Sequence, residues 1–233
     1  MIDWHSHILP GMDDGSRNVA ESISLINMQA LQGVELAIAT PHFYANDETV
    51  ESFLERRAKS FEILRTELTV DMPGILLGAE VRYYHGISHM PDLKLLKIEN
   101  SKLLLLEMPT STWTEYMIRE LIEMSSRNSI QVILAHVDRY LSLQKKEVWE
   151  RILQSGILIQ SNADFFTSFV SKRRAVSFLE KGNIHFIGSD CHNVTSRPPQ
   201  IEKAFEYIRK KLGDEFIYQM NEYGHSLLDL DNK

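Results

Sequence analysis

The sequence predicts an α/β fold in which parallel strands alternate with helices. Apolar runs of strand length alternate with longer segments whose apolar residues recur at helical spacing, which is the pattern of such folds. No internal repeat, low-complexity tract or linker interrupts this alternation. The 233 residues, 43% of them hydrophobic, can bury one substantial core, so we expect a single domain over residues 1–233.

Seven segments are predicted to be strands, because each is a short apolar run followed by a segment of helical length. In chain order they are Ile2–His5, Glu35–Thr40, Ile75–Val81, Leu103–Glu107, Gln131–His136, Gly156–Gln160 and His185–Gly188.

The segments between these strands have the features of helices. The first, Val19–Gln32, follows Asn18, a favourable N-cap, and ends at Gly33, a favourable stop. The second, Thr49–Leu68, carries apolar residues at helical spacing. Five more helices are predicted, at Thr114–Ser126, Lys145–Gln154, Ser168–Lys181, Pro199–Leu212 and Asp214–Tyr223.

Composition excludes several classes of partner. The net charge of -7 argues against a nucleic acid held by a broad basic surface, although a local cationic site can still bind a phosphorylated substrate. No apolar run approaches the roughly 20 residues that span a bilayer, and the N-terminal residues do not form a signal peptide, so we expect a cytoplasmic protein without membrane insertion. The single cysteine, Cys191, cannot form an internal disulfide, which agrees with a reducing compartment.

Possible metal ligands stand at or near the ends of six of the seven predicted strands. They are His5, His7, His42, Glu80, Glu107, His136, Asp190 and His192. In parallel barrels the carboxyl ends of the strands converge on one face, where catalytic residues are usually found. The sequence therefore predicts that these side chains meet in one cavity. A purely structural role for all of them would require six independent coincidences.

Spacing refines this prediction, since side chains two apart on an extended segment point the same way. His5 can pair with His7, and Asp190 with His192. Asp13 and Asp14 are adjacent and point apart, so we expect only one of them to bind metal. The spacing alone does not say which.

The predicted ligands mix imidazoles with carboxylates, which suits zinc, manganese or iron. Five histidines and four carboxylates are too many for one ion, so a cluster of two or three metals is expected. Three divalent ions would bring about +6 against about -4 from the carboxylates, and the excess positive charge would attract a phosphate dianion. Such a cluster can also lower the pKa of a bridging water that acts as the nucleophile.

Two arginines follow predicted ligands closely. Arg139 lies three residues beyond His136, and Arg197 lies five beyond His192. A guanidinium group at either position can hold phosphoryl oxygens in a bidentate manner.

Cys191 and Arg197 also have the spacing of the thiolate loop in cysteine-dependent phosphatases. That loop wraps phosphate with backbone amides, needs glycine, and leads into a helix N-terminus. Here no glycine lies between the two residues, and Pro198 and Pro199 follow. If Asp190 and its neighbour at 192 face the cavity, the cysteine faces away, so we predict that Cys191 is a spectator.

Other histidines and aromatic residues receive weaker predictions. Four histidines are not expected to bind metal, namely His85, His89, His185 and His225. His85 and His89 follow the third predicted strand and could line the cavity, although a loop role is favoured. Four aromatic residues on loops are candidates for the walls of a pocket for an aromatic substrate, namely Tyr44, Tyr83, Tyr84 and Trp113.

Five motifs follow one another between residue 1 and about residue 199. They are Met1–Ser16, Ala39–His42, Gly78–Arg82, Ala135–Tyr140 and Ser189–Asn193. In order and spacing they resemble the polymerase-and-histidinol-phosphatase (PHP) superfamily, most closely its bacterial tyrosine-protein phosphatases of capsule and exopolysaccharide operons. One mild departure is Val137-Asp138, where relatives often have Pro-Glu or Ile-Glu.

The resemblance implies a distorted seven-stranded (β/α)7 TIM-like barrel of the PHP fold, with three metals, often manganese, at the carboxyl ends of the strands. It implies one ion at His5, His7, Glu80 and Asp190, a second at Glu80, Glu107 and His136, and a third at Asp14, His42 and His192. Asp14 is thereby selected over Asp13. Iron and zinc remain alternatives to manganese.

The implied reaction is hydrolysis of phosphotyrosine on a protein, with Arg139 and Arg197 positioning the phosphoryl group. The implied partner is a bacterial tyrosine autokinase that controls polysaccharide export. Two alternatives stay open: a small-molecule phosphatase acting on histidinol phosphate, and a non-catalytic module that retained metals for stability. The physiological metal, the particular phosphoprotein and the oligomeric state are not determined by the sequence.

Overall fold

The computed structural model describes residues 1–126 and 129–228. These residues contain nine strands and eight α-helices. The strands are β1 Ile2–Ser6, β2 Leu36–Ala39, β3 His42–Phe43, β4 Gly74–Leu77, β5 Glu80–Arg82, β6 Leu103–Glu107, β7 Gln131–Leu134, β8 Leu158–Asn162 and β9 Phe186–Gly188. The helices are α1 Val19–Leu31, α2 Val50–Arg65, α3 Glu115–Ser125, α4 Lys146–Gln154, α5 Ala163–Thr167, α6 Lys172–Glu180, α7 Ile201–Leu212 and α8 Asp214–Leu227. Among these residues, no helix combines the length and apolar character needed to cross a membrane.

The strands form a curled sheet in two hydrogen-bonded sections, ordered β1-β2-β4 and β3-β5-β6-β7-β8-β9. Every pairing is parallel. The chain also joins β1 to the segment after β9, because the Asp190 N–H donates to the His5 carbonyl at 2.7 Å and the His7 N–H donates to the Cys191 carbonyl at 2.9 Å. These bonds bring the first and last motifs of the sequence together. The predicted α/β fold with a curled parallel sheet is confirmed.

The predicted count of seven strands is not confirmed, because the described residues form nine shorter strands. The segment predicted at Glu35–Thr40 is β2, and Pro41, which has no N–H to continue the ladder, separates it from an additional two-residue strand, β3. The segment predicted at Ile75–Val81 is divided at Gly78 and Ala79 into β4 and β5. β3 and β5 join the other section of the sheet.

Other elements agree with the prediction to within a few residues, with two informative exceptions. β7 ends at Leu134, two residues early, because His136 adopts a left-handed backbone conformation with φ of 30°. The helix predicted at Ser168–Lys181 begins only at Lys172, and the short α5 precedes it. The Asn18 cap of α1 is present, since its side chain accepts a hydrogen bond from the backbone of α1.

Alternation along the strands divides the buried apolar residues into two clusters. One packs between the sheet and the helices, and the other fills the inside of the curl. Towards the carboxyl ends the inward positions become polar: in β6 they are Leu103, Leu105 and Glu107, and in β8 the last two are Gln160 and Asn162. The pattern that builds the inner core therefore also delivers polar side chains to one end of it.

α8 packs tightly against the amino end of β1. A Cβ atom placed on Gly224 would lie 2.7 Å from Cζ2 of Trp4 and 3.2 Å from Cδ1 of Ile2. The Trp4 ring is itself stacked on Phe186, with ring centroids 3.9 Å apart, so it has little room to retreat.

We therefore expect Gly224→Ala to destabilise the protein by about 1–3 kcal/mol, the usual cost of overpacking. This cost outweighs the gain of roughly 0.5–1 kcal/mol that alanine brings inside a helix. The measurement is the free energy of unfolding in denaturant. Glu222→Ala, at an exposed position of the same helix, is the control and should change stability by no more than about 0.5 kcal/mol. A more stable Gly224→Ala protein would contradict the close packing.

Candidate metal centre

The structure brings all nine predicted ligands together at the carboxyl end of the sheet. Three groups of side chains offer ligand atoms that lie within 4.8 Å of one another: His7, Asp14, His42 and His192; His5, His7 and Asp190; and His42, Glu80 and Glu107. His136 lies beside these groups, with its Nε2 2.7 Å from Glu80 and 3.5 Å from Glu107. Asp14 is exposed and His42 partly exposed, while the other seven are buried.

Glu80 is at the centre of this cluster. Its Oε2 lies 3.2 Å from His5 Nε2, 3.3 Å from His7 Nε2 and 3.0 Å from His42 Nδ1. Its Oε1 lies 2.7 Å from His136 Nε2. Both oxygens of this one carboxylate therefore face imidazole nitrogens of the cluster.

Buried polar atoms without hydrogen-bond partners test whether the site suits metal ions. Three such atoms belong to the cluster: His42 Nδ1, Glu80 Oε2 and His192 Nε2. The first two are only 3.0 Å apart, yet they do not have hydrogen-bond geometry. Since buried polar groups are normally paired, donor atoms that converge without bonding to one another fit a cluster of divalent cations.

Asp13 and Asp14 point to different places. Asp13 Oδ2 lies 2.7 Å from His7 Nδ1 and accepts the His42 N–H at 2.8 Å. Asp14 Oδ1 instead lies 3.5 Å from His42 Nε2 and 3.4 Å from His192 Nε2. Asp13 therefore contacts Nδ1 of the His7 ring and leaves Nε2 facing the cluster. Carboxylates orient metal-binding histidines in this way.

The backbone turns two predicted ligands into the cluster through left-handed conformations. His136 has φ of 30° and Asp190 has φ of 51°, which are uncommon for residues other than glycine. Gln160 supports the first of these turns, because its Oε1 accepts the His136 N–H at 2.6 Å. The same atom lies 3.4 Å from His5 Nδ1. Strained backbone of this kind is typical of functional sites.

Sequence reasoning missed Gln160, Asp13 and Tyr140 as supporting residues. Tyr140 lies on the outer side of His136, with its hydroxyl 3.1 Å from Nδ1 of that ring. The signal for Gln160 was a polar residue at the carboxyl end of the predicted strand Gly156–Gln160. The signal for Tyr140 was weaker, since it depends on the turn formed by Val137–Arg139.

Three arginines lie at the rim of the cluster, where sequence analysis predicted two. Arg139 Nη2 donates to Asp190 Oδ2, and Arg197 Nη2 lies 2.8 Å from Asp190 Oδ1. Arg82 is the third, and its Nη1 donates to Glu107 Oε2 at 2.7 Å. The side chains of all three are between 35% and 42% exposed, so each is anchored in the site yet reaches solvent. Spacing could have found Arg82, which is two residues beyond Glu80 on the same strand.

Cys191 lies away from the cluster, within the apolar layer between sheet and helices. It is fully buried, and burial raises the pKa of its thiol well above the usual range. The backbone N–H groups of Thr195, Ser196 and Arg197, which a thiolate loop would turn towards phosphate, all donate to the side chain of Asn193. The geometry therefore does not support a cysteine-dependent mechanism.

Of the four aromatic residues considered for a pocket wall, Tyr44 lies beside the cluster, with its ring centroid 5.3 Å from that of His42. Tyr83 is buried and donates to Glu120, and Trp113 is buried and donates to the Pro109 carbonyl. Three of the histidines that were not predicted to bind metal contact other residues. His185 accepts a backbone N–H from β8, His85 stacks on an exposed tyrosine of α3, and His89 lies against its neighbouring serine.

The fold and the site define a class of protein: a parallel α/β fold with a buried cluster of imidazole and carboxylate ligands at the carboxyl ends of its strands. Comparison with known proteins gives the family. The chain belongs to the CpsB/CapC family, described as capsular polysaccharide synthesis, whose model matches residues 1–224. This confirms the resemblance found in the sequence motifs.

Named relatives cover nearly the whole chain. The tyrosine-protein phosphatase CpsB of Streptococcus agalactiae serotype III is 32% identical over 236 aligned positions, covering 94% of each chain. The tyrosine-protein phosphatase YwqE of Bacillus subtilis is 28% identical, covering 98% of this chain and 91% of the relative.

Solved structures agree with these relatives. A crystal structure reported jointly for YwqE of B. subtilis and CpsB of Streptococcus pneumoniae, described as metal-dependent tyrosine phosphatases, matches with a TM-score of 0.79 at 25% identity, covering 98% of this chain and 94% of that one. A histidinol phosphate phosphatase of Lactococcus lactis matches with a TM-score of 0.57 at 14% identity, covering 90% and 92% of the two chains, and shows likeness of fold alone.

His7 provides a test of the site in the metal-free protein. Burial opposes its charge, but Asp13 and Glu80 outweigh burial and raise its pKa to about 10. A histidine must lose its proton to bind metal. At pH 7.5 we therefore expect metal uptake to release protons, and the apparent affinity to rise with pH until His7 deprotonates without metal near pH 10. Calorimetric titration with Mn²⁺ in two buffers of different ionisation heat measures the proton release.

Asp13→Asn is the variant to compare with the parent protein, because it removes the negative charge beside His7. Fewer protons should be released in this variant, and metal affinity should fall by about 10- to 100-fold because the ring loses its support. Unchanged affinity and proton release would show that Asp13 has no role in preparing the site.

Proposed function

We propose that this chain is a metal-dependent protein-tyrosine phosphatase. The observation that carries the proposal is the cluster around Glu80, whose unpartnered donor atoms fit divalent cations, in a chain that matches the CpsB/CapC family from residue 1 to residue 224. The relatives named as tyrosine-protein phosphatases support phosphotyrosine on a protein as the substrate.

The proposed ligands hold two or three divalent ions, with manganese first and iron or zinc as alternatives. They are His5, His7, Asp14, His42, Glu80, Glu107, His136, Asp190 and His192. The contacts of Glu80 with four histidines support its role as a bridge. If β2 and β3 are counted as one strand, and β4 and β5 as another, the nine strands become seven. This count supports the proposed distorted seven-stranded barrel of the PHP type, which we propose as a single domain, residues 1–233.

Ions held there would lower the pKa of water and stabilise charge that develops on a phosphoryl group. The chain's own residues position the reactants. Asp190 accepts hydrogen bonds from Arg139 at one oxygen and lies 2.8 Å from Arg197 at the other, so two guanidinium groups flank one carboxylate. Both guanidinium side chains are also partly exposed, so their remaining donors can hold a phosphoryl group bidentately. Asp13 and Gln160 keep the imidazole rings aligned.

The proposed substrate is a tyrosine-phosphorylated protein, in particular a bacterial tyrosine autokinase that controls capsular or exopolysaccharide synthesis. The family description, capsular polysaccharide synthesis, supports this context. A cytoplasmic location, expected from the sequence, fits such a partner.

Substrate preference tests the proposal against its nearest alternative. With Mn²⁺ supplied, we expect kcat/KM for a phosphotyrosine peptide to exceed that for histidinol phosphate by at least about tenfold, a difference of roughly 1.4 kcal/mol in transition-state binding. The reverse preference would identify a small-molecule phosphatase. Hydrolysis of neither substrate with Mn²⁺, Zn²⁺, Fe²⁺ or Mg²⁺ in excess would instead favour the non-catalytic module.

Neighbouring variants separate the metal mechanism from a thiolate mechanism. His192→Ala removes a proposed ligand, and we expect activity to fall by more than about 100-fold, beyond the loss typical of a residue that only supports a ligand. Cys191→Ala keeps the buried position apolar and should retain most activity. Steady-state kinetics with excess Mn²⁺, together with thermal unfolding of both variants, measure this. An inactive but folded Cys191→Ala protein would contradict the metal mechanism.

A further inference from the structure

Tyr44 and Arg82 lie at the carboxyl ends of the parallel pair β3 and β5. In this pair His42 is opposite Glu80 and Phe43 is opposite Val81. Tyr44 is the first residue after β3, and Arg82 is the last residue of β5. Each is therefore two residues beyond a proposed ligand on its own segment.

Contacts agree with this placement. The Tyr44 ring lies 5.3 Å from the His42 ring, at an angle of 30° between the planes. Arg82 is paired in register with Glu107 of β6 and donates to its carboxylate at 2.7 Å. Tyr44 is 36% exposed and the Arg82 side chain 42% exposed, so both stand at the mouth of the cluster and are not part of the core.

The position of Tyr44 suits an aromatic phosphate ester. Its ring centroid lies 5.3 Å from that of His42, a proposed ligand, so a phenyl ester whose phosphoryl group lies at the cluster can place its ring beside Tyr44. An alkyl ester, such as phosphoserine, has no ring to place there.

We propose that Tyr44 determines specificity for aromatic phosphate esters: its ring packs against the phenyl ring of the substrate, and Arg82 bounds the other side of the same subsite. This inference rests on the proposed phosphatase function. Of the other aromatic candidates, Tyr83 and Trp113 are buried and bonded elsewhere, and Tyr84 is partly buried against the apolar core.

Binding of substrate-like phosphonates tests the subsite without hydrolysis. Phenylphosphonate and methylphosphonate are titrated calorimetrically into the Mn²⁺-loaded protein. Tyr44→Ala should weaken phenylphosphonate by about three- to tenfold, the loss of one aromatic pair, and leave methylphosphonate and Mn²⁺ affinities unchanged. Tyr44→Phe should bind both phosphonates as the parent protein does. KM for a phosphotyrosine peptide should rise with the same factor in Tyr44→Ala.

Tyr218→Ala, which removes an exposed tyrosine of α8, is the matched control and should change neither affinity. Equal weakening of both phosphonates, or weaker Mn²⁺ binding, would overturn the inference, since Tyr44 would then act through His42. Loss in Tyr44→Phe as large as in Tyr44→Ala would also overturn it. If the parent protein prefers phenylphosphonate through Tyr44 but hydrolyses no phosphotyrosine peptide with any metal, the proposed function fails and the subsite stands.

Discussion

The backbone pairing between β1 and the end of β9 is the constraint on which the site depends. The Asp190 N–H donates to the His5 carbonyl, and the His7 N–H donates to Cys191, so ligands separated by about 185 residues become neighbours. Asp3 reinforces the junction, because its buried carboxylate accepts the Ser189 N–H at 2.7 Å. A β-carbon at position 188 would lie 2.8 Å from the backbone nitrogen of His5, so glycine is required for this approach. Without this junction the curled sheet would be open and the cluster would lose one side.

Burial of charge is the second constraint. Burial opposes the ionised form of Asp190, but His5 and His7 outweigh it and hold the pKa of the carboxyl well below its usual range. The pKa of Glu80 is lowered in the same way by the histidines around it. Both groups therefore stay ionised in the metal-free protein, at a cost in desolvation that the neighbouring imidazoles and Arg139 offset. A divalent cation meets carboxylates that are already charged and fixed in place.

Local sequence patterns predicted much of this arrangement and failed at identifiable points. Alternation along strands correctly placed Glu107 at the inward end of β6, and the adjacent Asp13 and Asp14 point to different partners as predicted. The failures concern the additional strand β3, the division of the segment Ile75–Val81, and Arg82. Which section of the sheet β3 and β5 join depends on distant strands, and no local pattern carries that information. The spacing of Arg82 from Glu80 was a local signal, but its anchor, Glu107, is 25 residues away.

The sequence by itself determined the alternation of strands and helices, the polar residues at the strand ends and the exclusion of Cys191 as a nucleophile, because each follows from spacing within one element. Only the tertiary structure decided which other residues meet the predicted ligands: Asp13 behind His7, Gln160 beneath His136, and Tyr44 beside His42. Spacing along the chain defines which side chains share a face of one strand. Contacts between strands depend on register and on closure of the sheet, which are set by bonds between distant residues.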